Sequence, residues 1–224
     1  MAYTTIDDPT AYFQTTLFVG NQTARSITFD GNTNMQPDLV WIKPRDNGAW
    51  SHNLTDSVRG AGYGIFTDLT GAQYNYGTGT DGSVRTFDSN GFSIGTATQV
   101  NNSSSNIVAW NWNAGTTSGL SGGSITPSGY SINIKAGFGI YKFTGNGTSG
   151  ATIAHGLGAV PKAFFIKRLE NNDAMNMYNE SLGNTKTLRL DRTDAPATSS
   201  SFYNNTTPTS SLITLGTESG FNGS

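Results

Sequence analysis

The sequence predicts an all-β protein made of two tandem antiparallel β-sandwiches, jelly-roll or lectin-like, the second lacking its last strand. Three observations predict it. The first is a long internal repeat: Phe18-Val-Gly-Asn and Pro37-Asp-Leu-Val-Trp-Ile-Lys43 return as Phe143-Thr-Gly-Asn and Pro161-Lys-Ala-Phe-Phe-Ile-Lys167. Pro37 and Pro161 stand 161 − 37 = 124 residues apart, and Asp56-Ser-Val58 matches Glu180-Ser-Leu182 at the same offset. That period exceeds the roughly 20 to 50 residues of solenoid and propeller repeats, so each copy has to fold around its own core. The second observation is short β-branched and aromatic runs bounded by turn residues. The third is the lack of any helical window.

Taken in order, residues 1–12 fall outside the repeat and read as an N-terminal arm. Residues 13–115 form the first repeat, 116–136 a linker with a short hairpin, and 137–224 the second repeat. In the first copy Leu39-Val-Trp-Ile-Lys43 and Asn106-Ile-Val-Ala-Trp110 have strand composition; Gly139-Ile-Tyr-Lys-Phe143 and Ala163-Phe-Phe-Ile-Lys167 do so in the second. Asp30-Gly31, Asp81-Gly82, Asn90-Gly91 and Asn146-Gly147 are dipeptides that supply positive φ to tight turns. Asn179-Glu-Ser-Leu182 is the best helical window and is too short to stand alone. Thr116 to Ser124 is rich in Gly and Ser, as a linker is. Ser124 to Ile134 alternates like one arm of a hairpin.

The first copy closes with Phe92-Ser-Ile-Gly-Thr-Ala-Thr-Gln-Val-Asn101 and then the strand through Trp112, whereas the second reaches Ile213-Thr-Leu-Gly-Thr-Glu-Ser-Gly-Phe-Asn222 and stops. A fold short of a strand exposes an unpaired edge, so the expectation is that these residues are the N-terminal part of a longer protein. Trp110 and Trp112 share strand parity, and Trp41 and Trp110 are expected in the core or between sheets.

Charged residues make up 12% and hydrophobic residues 35%, yet aromatics reach 11%, too many for a disordered chain. The chain therefore folds and shows a polar, weakly charged surface, as extracellular and virion-surface proteins do. A net charge of −2 and the lack of a basic run give no electrostatic reason to expect nucleic acid. Without cysteine there is no disulfide framework and no thiolate metal site. No export signal or apolar span is visible, so membrane insertion is not expected. A composition of this kind without an export signal is what a phage structural protein, released by host lysis, would show.

The opening Met-Ala-Tyr-Thr-Thr-Ile-Asp-Asp-Pro, the block Gln36-Pro-Asp-Leu-Val-Trp-Ile-Lys43, the element Asp56-Ser-Val-Arg-Gly60 and Ala151-Thr-Ile-Ala-His-Gly-Leu-Gly158 are together specific. Through them the chain, over nearly its whole length, resembles tandem-repeat β-domain virion proteins of marine bacteriophages, including cyanophages. The resemblance implies a structural, tail- or fibre-associated role, with further repeats following the second. It carries no functional residues over.

No chemistry-bearing pattern outranks its structural reading. His52 and His155 occupy non-equivalent places and lack a Ser-His-Asp spacing or a second histidine four residues away. His155 reads as a turn residue whose ring bonds to backbone. Glycan hydrolysis needs two carboxyls across a cleft, and the candidates are Asp56, Asp68, Asp81, Glu170 and Glu180. Only Asp56 and Glu180 recur at matching positions, and Asp56 reads as a partner for Arg59 or for backbone amides. Asp88-Ser-Asn-Gly91 opens like a calcium loop but lacks the distal glutamate, so a hairpin turn is preferred. Gly145 to Gly150 lacks the Lys-Ser/Thr of a phosphate loop.

The positive binding signal is aromatic. Trp50, Tyr63, Tyr74, Tyr76 and Tyr203 lie in Gly/Asn/Ser-rich segments and are the expected contacts to a glycan or to a neighbouring subunit, the latter preferred because interfaces recruit Tyr and Trp. No catalytic, cofactor-binding or metal site is predicted. Partners are expected to be other virion proteins, further copies of the chain in a homo-oligomer such as a trimer, and a host-surface glycan or receptor. A tail fibre or tail-associated attachment protein is the leading function, capsid decoration the alternative, and a polysaccharide hydrolase the weakest.

Overall fold

The computed structural model describes residues 6–223. Backbone contacts divide them into two units: unit 1 runs to Thr67 and resumes over Gln73–Gly115, and unit 2 takes Asp68–Ala72 and the residues from Thr116 onward. The chain is all-β; among the described residues the α-helices are three single turns of four residues each. Among the described residues no helix is long and apolar enough to cross a membrane.

Unit 1 contains β1 (Phe13–Val19), β2 (Arg25–Thr28), β3 (Leu39–Pro44), β4 (Asn53–Asp56), β5 (Tyr63–Phe66), β6 (Tyr74–Asn75), β7 (Val84–Asp88), β8 (Gly91–Ile94), α1 (Thr98–Asn101) and β9 (Asn106–Trp112). Six strands form an antiparallel sheet ordered β1-β9-β3-β4-β5-β6, and three form a second, β2-β8-β7. Because side chains alternate across a strand, Val40 and Ile42 share one face of β3 with Ile107 and Ala109 of β9, and all four are fully buried. They pack on Ile27, Phe92 and Ile94 of the smaller sheet. The arrangement is sandwich-like.

Trp41 and Trp110 pair across β3 and β9 on the opposite face, half-buried, with rings edge to face at 5.9 Å. The expectation that they sit in the core is corrected here. Composition favoured the core for these large rings, but the aliphatic face is the one that meets the second sheet. Asp8, in the expected N-terminal arm, caps a 3-10 turn over Pro9–Ala11 and accepts a hydrogen bond from Thr33 at 2.5 Å. The arm's residues 1–5, part of the opening that carries the resemblance, lie outside the described residues.

Unit 2 contains β10 (Gly129–Asn133), β11 (Phe138–Lys142), β12 (Ala151–Ala154), β13 (Ala163–Ile166), β14 (Asn176–Asn179), β15 (Lys186–Arg189), β16 (Ala197–Thr198), α2 (Ser200–Tyr203), β17 (Leu212–Leu215) and α3 (Ser219–Asn222). The sheet β13-β14-β15-β16 reproduces the order β3-β4-β5-β6, and the pair β12-β17 reproduces β2-β8. β10 and β11 form the hairpin expected from the alternation before Ile134. Asn179 caps the expected short turn, a 3-10 turn over Glu180–Leu182.

The copies share two internal ties. Asn101, fully buried, donates from Nδ2 to the carbonyls of Gly95 at 2.8 Å and Thr23 at 2.9 Å, and accepts from the Asn21 amide at 3.0 Å. Asn222, equally buried, donates to Gly216 and Thr148 and accepts from Asn146, each at 2.9 Å. Each asparagine pins the turn after the first strand of its copy to the helix that follows β8 or β17. The second tie is a lysine. Lys43 Nζ donates to the carbonyls of Asn47 and Trp50, and Lys167, its counterpart, donates to those of Thr70, Arg168 and Asn171.

The four turn dipeptides divide. Gly91 and Gly147 take positive φ, +128° and +68°, as expected. Gly31 and Gly82 do not; a Cβ on Gly82 would lie 2.4 Å from the Gly77 carbonyl oxygen, so close backbone approach explains that glycine.

Candidate functional site

Unit 1 presents an aromatic ladder at the β5–β6 end of its large sheet. Gly64 of β5 lies directly opposite Tyr74 of β6, and the Tyr74 ring folds across it; a Cβ on Gly64 would fall 2.2 Å from the Tyr74 hydroxyl. A glycine there lets the ring lie flat on the strand. Tyr74 then stacks on Phe66 at 4.7 Å and meets Tyr76 at 4.4 Å. The Tyr74 hydroxyl accepts from Asn53 Nδ2, and burial pushes its pKa well above the ordinary tyrosine value. The inner end of the ladder is thus fixed. Its outer end is open: Tyr76 is 40% exposed, and Gln99 Nε2 donates to the Tyr76 hydroxyl at 3.1 Å, while Tyr63, 37% exposed, lies on the opposite face of the strand pair.

Of the five aromatic residues expected at a contact surface, the structure brings Tyr63, Tyr74 and Tyr76 to this strand pair. Trp50 is half-buried in the β3–β4 loop. Tyr203 is a correction. It is 1% exposed, set edge-on to Tyr178 and Phe164, with its hydroxyl 3.0 Å from Thr187 Oγ1. Its Ser- and Asn-rich flanks read as a loop, but α2 turns the ring into the core of unit 2, with Phe202 and Phe221.

A second place escaped the sequence reading. In unit 2 a polar cleft of about 120 Å³ is lined by Asp173, Asn176, Arg189, Arg192 and Glu218. The alignment of β14 with β4 puts Trp50 where Asp173 stands, and that of α3 with α1 puts Ala97 where Glu218 stands, so these charges belong to the second copy alone. Asp191 nearby has a fully buried side chain that accepts from the Met175 amide at 3.0 Å. Burial lowers the pKa of Lys167, against the opposing pull of Asp173, Asp191 and Glu170. Cations and carboxylates balance in the cleft. The signal that would have found it is the mismatch between the copies at these positions.

The remaining candidates have structural places. Asp56 accepts from Arg59 Nε at 2.5 Å and from the Arg59 amide at 2.8 Å, as expected, while Glu180 forms an exposed pair with Lys162. Asp88 and Gly91 close the β7–β8 hairpin, where the Asn90 side chain ties the Met35 amide and the Phe29 carbonyl rather than facing out as a ligand. Among the described residues no group of three or more His, Cys, Asp or Glu is placed to hold a metal.

His155 is fully buried; its Nδ1 accepts from the Leu157 amide at 3.2 Å and its Nε2 faces the Thr209 carbonyl at 3.1 Å. That pairing holds the neutral ring with the proton on Nε2. Burial therefore lowers its pKa from the ordinary 6.5. With the folded pKa below the unfolded one, the unfolded chain binds the extra proton, so stability of unit 2 is full above about pH 6.5 and falls as pH drops through the window beneath it. Thermal melts from pH 8 to pH 5 are expected to show this loss, and His155→Gln to flatten it. An unchanged slope in the variant would assign the loss to other groups.

A family profile described as a domain of unknown function (DUF7483) matches residues 8–224. No curated protein and no solved structure matches the chain.

Proposed function

The chain belongs to the DUF7483 family, and we propose that it is a non-enzymatic attachment protein of a bacteriophage particle, tail- or fibre-associated, that binds host-surface glycan through the Phe66–Tyr74–Tyr76 ladder. The observation that carries the binding reading is the ladder itself, half-buried and hydrogen-bonded at Tyr74 and open at Tyr76. A sugar ring stacks its C–H face on an exposed aromatic ring while neighbouring amides bond its hydroxyls, and Gln99 stands within reach. The virion reading draws on the resemblance to marine phage proteins and on the weakly charged β composition. In the same reading the two units are jelly-roll, lectin-like modules that oligomerise and dock onto other virion proteins.

The test has two parts. Immunolabelling of purified particles by electron microscopy is expected to mark the tail; label over the head would replace attachment with capsid decoration. On a glycan array, the binding seen for the native chain is expected to fall at least tenfold in Tyr76→Ala and to persist in Tyr63→Ala on the opposite face, with melting temperatures nearly unchanged because both rings are substantially exposed. Retained binding in Tyr76→Ala would remove the ladder from the site.

A further inference from the structure

The strand pairings of the two copies place the polar cleft of unit 2 where unit 1 carries its aromatic ladder. Asn53 of β4 stands opposite Phe66 of β5, and in the same position of unit 2 Asn176 of β14 stands opposite Arg189 of β15. Gly64 of β5 stands opposite Tyr74 of β6, and the equivalent pair in unit 2 is Thr187 opposite Ala197. One copy fills this place with two stacked rings, Phe66 and Tyr74. The other has a guanidinium and a methyl group there, and a cleft of about 120 Å³ remains. Asn53 is spent on the Tyr74 hydroxyl, whereas Asn176 donates to the Ala174 carbonyl at 3.0 Å and lines the cleft.

The walls of the cleft hold hydrogen-bonding capacity that the chain itself does not use. Arg189 lies 3.6 Å from Asp194, and Arg192 lies 3.9 Å from both Asp194 and Asp191, separations too long for hydrogen bonds. Asp173 Oδ2 is screened from solvent and accepts no hydrogen bond among the described residues. A buried acceptor in that state has given up water without a replacement. The terminal torsion of an aspartate is soft, so the Asp173 carboxyl, which lines the cleft, can turn either oxygen to a ligand.

The mixture of charges selects the ligand. A simple anion would meet Asp173 and Glu218, a simple cation would meet Arg189 and Arg192, and an apolar ring would find polar side chains at six of the eight lining residues. A hydroxyl group both donates and accepts, so neighbouring hydroxyls of a sugar satisfy a carboxylate and a guanidinium together. We infer that the cleft of unit 2 is a saccharide subsite that takes neighbouring hydroxyls of a neutral sugar, Arg189 and Arg192 donating to them and Asp173 and Glu218 accepting from them. The inference rests on the attachment reading for the source of the sugar at a host surface, but the chemistry of the cleft does not involve the ladder. The two copies then hold sites of different kinds at one position of the fold. One stacks on the C–H face of a sugar, and the other bonds its hydroxyls.

The probes are the methyl glycosides of mannose, galactose and glucose, which between them present neighbouring hydroxyls in cis and trans arrangements. Each is titrated at millimolar concentration into the isotope-labelled chain of residues 1–224 and followed by NMR. At least one is expected to give saturable shifts at the amides of Asp173, Asn176 and Gly220. Asp173→Asn and Arg189→Gln are each expected to weaken that binding at least tenfold, with melting temperatures nearly unchanged. Shifts confined to Tyr74, Tyr76 and Gln99 would leave the glycan site at the ladder and overturn the inference, whereas shifts confined to the cleft would uphold it and remove the ladder. No shift with any of the three glycosides, or native affinity in both variants, would also overturn it. So would a stronger response at these amides to inorganic phosphate or to methylammonium, which would make the cleft a site for a single charge.

Discussion

Asn222→Ala is expected to destabilise unit 2 by about 3 kcal/mol, and Asn101→Ala to do the same to unit 1. Each side chain is wholly buried and serves three backbone groups: two carbonyls that accept from Nδ2 and one amide that donates to Oδ1. Alanine leaves all three without that partner. A buried polar group stripped of its bond costs about 1 to 3 kcal/mol, and partial relaxation of the two carbonyls brings the total to the lower end of the summed range. Asn→Asp separates the roles, because the carboxylate still accepts from the amide but cannot donate to the carbonyls, so it is expected to cost at least as much as alanine. Urea unfolding followed by tryptophan fluorescence reads unit 1, which holds all four tryptophans (Trp41, Trp50, Trp110 and Trp112); far-ultraviolet circular dichroism reads both units. A loss under 1 kcal/mol in both variants would mean that water replaces the side chain without penalty.

These asparagines show what was legible in the text and what was not. The duplication was readable because strand composition and turn residues repeat at a nearly constant offset, and the strands followed from β-branched and aromatic runs. The asparagines themselves were not singled out. In a chain this rich in Asn, one at the end of a four-residue helix has no local mark, and only superposing the two copies, Asn21 on Asn146 and Asn101 on Asn222, exposes them. Parity showed that Trp110 and Trp112 share a face, but which face meets the second sheet is decided by Ile107 and Ala109, whose small and branched side chains pack more closely between sheets than indoles do. Tyr203 was misplaced for a related reason: polar neighbours report the solvent exposure of a segment, whereas one turn of helix can reverse a single ring. The polar cleft gathers residues from Asn172 to Gly220, three separate segments whose meeting depends on tertiary structure. Of the site, Tyr74 and Tyr76 were named in advance, as aromatics set in polar segments rather than in the apolar strand runs, and the stacking that joins them to Phe66 was not.

Gly95→Ala and Gly216→Ala are expected to cost about 3 kcal/mol or more, each in its own unit. These glycines correspond in the two copies, following β8 and β17, and each supplies a carbonyl to its buried asparagine. A Cβ on Gly95 would stand 2.2 Å from the Gly82 carbonyl oxygen, and one on Gly216 would stand 2.1 Å from that of Ser201. Both obstacles are backbone carbonyl oxygens that accept further bonds, Gly82 O from Ala97 N at 3.3 Å and Ser201 O from Glu218 N at 2.9 Å, so no side-chain rotation relieves the clash. Neither glycine lies in the left-handed region, which makes the expected cost purely one of space. Gly77 supplies the opposite case. Its φ is +69° and nothing lies within 4 Å of a Cβ there, so Gly77→Ala is expected to cost only the conformational penalty of about 1 to 2 kcal/mol. Urea midpoints of the three variants decide between the two origins. If Gly95→Ala is no more costly than Gly77→Ala, the strand end yields by more than an ångström, and the asparagine tie beside it cannot be the rigid fixture that the first prediction requires.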